Sequence, residues 1–144
     1  MKLLLILLLT INIYAQDKLF FLPKDGKAAK KCIEKLIKKS QTSIDIAMYN
    51  IEDKKIAKLL SKAYNRGVAV TIFYDKKGVK LSHVNKMKVK QKLHTKIAIF
   101  DKEIVVFGSA NWTRENFKEN YEVIYVTDDE KIVSQFNDFF ETLY

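Results

Sequence analysis

The chain of 144 residues has one cysteine, Cys32, and two histidines, His83 and His94. A single cysteine excludes an intrachain disulfide, so the core alone must hold the fold. Cys32 lies in a segment where Ala29, Cys32, Ile33, Leu36 and Ile37 mark one apolar helical face. Its thiol therefore reads as a small buried hydrophobe, with no partner residues for a redox or nucleophilic role. Beyond residue 15 there is no apolar amphipathic stretch left over to enter a bilayer, so no stable membrane partner is expected there. There is no internal repeat, no low-complexity tract and no clear His/Asp/Glu ligand cluster, so neither a metal nor a cofactor is implied. The scarcity of histidine is the sharpest limit. Any chemistry that needs two imidazoles must find them among His83 and His94, and His83 sits in Ser82-His83-Val84-Asn85 without a lysine two places on.

What is abundant is apolar residues, at 48%, and lysine. The length and apolar content support one domain with a real core, and not two. Lys and Arg number 26 against 17 Asp and Glu, a net charge of +9. A solvated lysine surface explains that surplus, and so does a polyanionic partner, nucleic acid or an anionic membrane. Composition does not choose between them. Residues 1–15 have the layout of a secretory signal peptide: Lys2, an apolar run from Leu3 to Ile13, and Ala15 at the end of a cleavage site. The domain is then 16–144, and the expected location is secreted or periplasmic. An uncleaved N-terminal membrane anchor is the alternative, because Ile13 is not the small residue usual at that position. Removing Lys2 leaves 25 basic against 17 acidic residues, so the surplus survives export.

Along the body, short β-branched runs alternate with helical periodicity. Strands are expected at Lys18–Leu22, Thr42–Tyr49, Val68–Tyr74, Lys96–Phe100, Ile104–Phe107 and Tyr121–Thr127. Helices are expected at Ala28–Lys39, at Asp53–Asn65 and from Asp128 or Asp129 onward. The last of these has Ile132, Val133, Phe136, Phe139, Phe140 and Leu143 on one face. Asp75–Lys92 is lysine-rich and ambiguous, a loop with a short helix or strand. This pattern predicts an α/β fold, a mixed β-sheet flanked by helices.

One stretch concentrates the chemistry. His94 and Lys96 are two apart on a predicted strand, so their side chains should leave one face. Asp101-Lys102 forms a turn, and Ser109 and Asn111 arrive where the returning strand ends. An imidazole that can attack phosphorus or carry a proton, beside an ammonium and an amide that donate to charged oxygens, suits a phosphate site. The string His94-x-Lys96-x4-Asp101, then Gly108-Ser109-x-Asn111 and Asn120-x-Glu122, resembles the signature of the phospholipase D superfamily. It is most similar to the small bacterial endonucleases of that superfamily, which carry one motif per chain. Ser43–Tyr49 and Arg66–Val70 extend the resemblance over most of residues 19–144.

Covalent cleavage of a phosphodiester needs a nucleophile and a separate acid, and one His94 cannot serve as both at once. The resemblance implies the answer: a homodimer in which two His94 meet across a twofold axis. It further implies that one His94 becomes a phosphohistidine while the other protonates the leaving oxygen. Lys96 and Asn111 would hold the non-bridging oxygens, Ser109 would donate a supporting hydrogen bond, and Glu122 would orient His94. Asp101, at the far end of the strand, reads as structural. Trp112 either stacks on a base or packs under the sheet. Lys90 and Lys92 belong to a basic run from Lys76 that leads into His94 and could track phosphates. The expected function is a metal-independent endonuclease acting on DNA, with RNA as a further substrate. A lipid phosphodiesterase and a non-catalytic nucleic-acid-binding module are the competing readings.

Overall fold

The computed structural model describes residues 17–75 and 81–144; the expected signal segment and Lys76, Lys77 and Lys80 lie outside the described residues. Among the described residues seven strands and four helices follow in the order β1 (Lys18–Leu22), α1 (Gly26–Lys39), β2 (Ser43–Met48), α2 (Lys54–Asn65), β3 (Ala69–Tyr74), β4 (Asn85–Lys88), β5 (Lys96–Phe100), β6 (Ile104–Gly108), α3 (Arg114–Lys118), β7 (Glu122–Thr127) and α4 (Glu130–Glu141). They form one mixed sheet in the order β1-β7-β6-β5-β2-β3-β4. The β2–β3 and β3–β4 pairs are parallel and the other four pairs antiparallel.

The strict period of two sorts each strand's side chains between two cores. Ile44, Ile46 and Met48 of β2, with Ala98 and Phe100 of β5, lie in the cluster that also takes Ala29, Ile33 and Ile37 of α1 and Ile56 and Leu60 of α2. Their neighbours Ala47, Phe73, Ile99 and Val105 join Val133 and Phe140 of α4 in the other cluster. Cys32 is half-buried against the first core, and burial pushes its thiol pKa up. The α/β class thus holds: helices α1, α2 and α3 lie on one face of the sheet and α4 on the other.

Beyond shifts of one residue at several strand ends, three features differ from expectation. Helix α1 starts at Gly26 rather than Ala28, because Gly26 packs directly on the backbone of α3. A Cβ there would lie 1.7 Å from the Phe117 carbonyl oxygen. The ambiguous 75–92 stretch contributes a real strand, β4, at the sheet edge beside β3. Helix α3 was not anticipated. It is only five residues long, capped by the Thr113 hydroxyl, which accepts from Asn116 N–H, and anchored by buried Phe117.

Candidate active site

The turn between β5 and β6 sets the strand pair. Asp101 and Lys102 both have positive φ, 54° and 61°, the backbone of a tight hairpin in which Asp is well tolerated. The Asp101 carboxylate accepts hydrogen bonds from the N–H groups of Gln41, Thr42 and Ser43 and from the Thr42 hydroxyl, at 2.8–3.1 Å. Burial pushes its pKa up, but these bonds outweigh it and hold the group below its ordinary value. Asp101 therefore clamps the hairpin to the start of β2, at the end of β5 opposite His94.

At that opposite end, β2 and β5 remain paired one step past Met48 and Lys96: Tyr49 N–H donates to the Thr95 carbonyl at 3.1 Å. His94 itself precedes β5 rather than lying on it. It is exposed, and its ring meets the Tyr49 ring edge-on, with centroids 5.1 Å apart. Lys96 is 8% exposed, its Nζ lies 5.6 Å from the same ring centroid, and it donates to the His94 carbonyl at 2.7 Å. The ring of Tyr49, given no role from sequence, therefore touches both groups. Desolvation lowers the Lys96 pKa, and the negative charge of Glu122 offsets part of that.

Asn111 is fixed from three directions. Its Oδ1 accepts from Asn50 N–H at 3.2 Å, and its own N–H donates to Asn116 Oδ1 on α3. The next residue, Trp112, exchanges backbone bonds with Asn50, Glu52 and Asp53. With Oδ1 engaged by the backbone, the amide nitrogen of Asn111 is the part left to donate to an anion. Asn50 follows Tyr49 directly, so the end of β2 carries Asn111 to the place where His94 and Lys96 meet.

The other expected site residues divide as follows. Trp112 does not stack on a substrate base: it is 1% exposed and sits in the core under α1 and α2. The Ser109 hydroxyl oxygen accepts from Val123 N–H at 3.0 Å, tying β6 to β7 beside Glu122 and leaving its O–H to donate. Glu122 makes no hydrogen bond to His94 among the described residues; its charge acts on Lys96. Lys90 and Lys92 are exposed on the loop between β4 and His94, which passes the C-terminal ends of β3 and β2. That loop is pinned by Leu93 N–H donating to the Asp75 carboxylate at 3.0 Å. His83 is exposed, with φ 57°, away from any motif residue in sequence. Among the described residues no group of three or more His, Cys, Asp or Glu is placed to share a metal ion. No helix among them is long and apolar enough to cross a membrane.

Residues 33–144 match the family described as Cardiolipin synthase, PLD-like domain. The solved structure of NucT from Helicobacter pylori superposes with a TM-score of 0.81 at 26% identity, covering 89% of this chain and 94% of that one. Nuc from Salmonella typhimurium, a phospholipase D family member, superposes at 0.76 with 22% identity over 89% and 93%. Mitochondrial cardiolipin hydrolase of Homo sapiens is 23% identical over 134 residues, 83% of this chain and 52% of that protein. The chain thus spans about half the length of that curated relative.

Proposed function

The chain belongs to the Cardiolipin synthase, PLD-like domain family, and from that premise we propose that it hydrolyses phosphodiester bonds of nucleic acid, DNA first, through a site completed by a second copy of itself. The observation that carries the chemistry is the meeting of His94, Lys96 and Asn111 at one end of the sheet, bridged by Tyr49 and Asn50. Nucleic acid is favoured because the match to a short chain, NucT, is nearly end to end, whereas the lipid relative is about twice as long as the matched part. The net charge of +9 suits a polyanionic substrate of either kind.

The steps follow from the residues. A ring nitrogen of one His94 forms a bond to phosphorus as the bond to the leaving oxygen breaks. The other His94, as imidazolium, gives that oxygen its proton. Now neutral, it takes a proton from water, whose oxygen displaces the first imidazole and restores both residues. Lys96 and the Asn111 amide donate to the non-bridging oxygens as charge builds. Burial lowers the pKa of that ammonium, and the negative charge of Glu122 offsets part of the effect. The homodimer reading draws on there being one motif histidine per chain, and on an open sheet face beside the site end. There Leu19 and Phe21 of β1 are 52% and 58% exposed, opposite Tyr125 and Val123 of β7. A signal segment at 1–15 would place the protein outside the cytoplasm.

The test is cleavage of supercoiled plasmid in excess chelator, run beside hydrolysis of phosphatidylcholine and cardiolipin vesicles, with His94→Asn as the blank. Nicking by the wild type alone, with the lipids intact, is expected. Hydrolysis of lipid with the plasmid untouched would establish the lipid reading instead.

A further inference from the structure

Helices α1 and α2 together carry ten lysines and one acidic residue, Glu34. Their surplus equals the +9 of the entire chain, because the remaining residues contribute sixteen basic and sixteen acidic groups. The single glutamate is buried and paired with Lys55 at 2.6 Å, and Lys30 pairs with the α2 cap Asp53. Those contacts face the seam between the helices. Lys31, Lys35 and Lys38 of α1 and Lys54, Lys58 and Lys62 of α2 are exposed, and among the described residues none has an acidic partner. On α2 they recur every four residues, about 6 Å apart along the axis. The opposite face is different: α4 has Glu130, Asp138 and Glu141 against Lys131.

The position of this face matters as much as its charge. Helix α2 begins at Asp53, whose N–H donates to the Trp112 carbonyl, one residue from Asn111. Helix α1 begins at Gly26, against α3, whose Asn116 holds Asn111. Both lysine rows therefore start at the site end and run back for about 18–21 Å, from 1.5 Å per residue.

We propose that the outer surface of the α1–α2 layer is a second contact surface for duplex nucleic acid, holding phosphates of the segment that flanks the scissile bond. This rests on the nuclease reading for its substrate, but concerns a surface outside the motif and outside the Lys90–Lys92 loop. A duplex is favoured over a membrane because the exposed residues are mostly lysines, with a single large apolar side chain, Tyr64, 38% exposed in the last turn of α2 at the end away from the site; a bilayer-binding helix needs an apolar face, and here that face is spent on the sheet.

The experiment measures binding of a duplex of about 30 base pairs by His94→Asn protein over a range of salt, with and without the combined change Lys31→Ala, Lys35→Ala, Lys58→Ala and Lys62→Ala. Alanine keeps helix propensity, and the thermal midpoint monitors folding. Each lost phosphate contact removes about 0.9 from the slope of log K against log salt, so a fall of up to about 3.6 is expected. The four Lys→Arg changes should leave the slope as it was, which separates charge from misfolding. An unchanged slope in the alanine variant overturns the proposal. So does loss of co-sedimentation with cardiolipin vesicles while duplex binding persists, which would make this a membrane face. If wild-type protein binds duplex through these lysines but never cuts it, the catalytic reading falls and this surface stands.

Discussion

Replacing Asp101 by asparagine should weaken the fold and spare the chemistry. The carboxylate accepts from three main-chain N–H groups and one hydroxyl. Hydrogen bonds to a charged acceptor contribute about 1.5–3 kcal/mol, against about 0.5–1.5 for neutral ones. Asparagine keeps one acceptor oxygen and tolerates the φ of 54°, so the turn survives and the loss is that of the charge. Gln41 and Thr42 are exposed, and water takes back part of the difference. A net cost of about 1–2 kcal/mol remains, or about 4–8 °C in thermal midpoint for a domain of this size. The pH dependence has a definite sign. The folded pKa lies below 3.8, so the stabilisation is complete above the ordinary carboxylate range and is lost as pH falls through the folded value. The gap between wild type and Asp101→Asn should be constant at neutral pH and should close on acidification. Circular dichroism melts and turnover on the same samples decide the matter. Because Asp101 is five residues from Lys96, about 16 Å along the strand, turnover per folded molecule should hold. A variant with an unchanged midpoint and lost turnover would refute the clamp and put Asp101 in the chemistry.

His94→Ala chains mixed in excess with wild-type chains should drive activity per wild-type chain toward zero after subunit exchange; constant activity, with exchange shown independently, would sink the shared site. Lys96→Met should abolish turnover without lowering the thermal midpoint, since burial already disfavours the ammonium and its charged form costs stability at neutral pH. A clear drop in the melt would show that the bond to the His94 carbonyl outweighs desolvation. Gly108→Ala would set a Cβ 2.0 Å from the Val123 carbonyl oxygen, forcing β6 from β7 beside Ser109. A loss of about 1–3 kcal/mol is expected in denaturant titration, in the range of overpacked sites.

What could be read from the chain alone was whatever a local pattern encodes. The alternation in β2 and β5 sorts residues to two faces whatever they pack against, and the motif spacing brings His94 and Lys96 to one strand end because a strand advances by a fixed rise. The features that escaped are those decided by partners distant in sequence. Trp112 was open between stacking and packing because its direction depends on a bridge to Ile51, sixty-one residues away, and on the α1–α2 core beneath it. Helix α3 has too few residues for a period; its existence depends on a cap and on Phe117 meeting Gly26. The lysine face escaped for a related reason. In the sequence, Lys30 and Lys55 look like Lys31 and Lys58, and the eye goes to the longer run before His94. Only folding spends the first two on Asp53 and Glu34 and leaves the others exposed, with no acidic partner among the described residues. Charge becomes a signal of function after the internal pairs have been subtracted, and that subtraction is a tertiary fact.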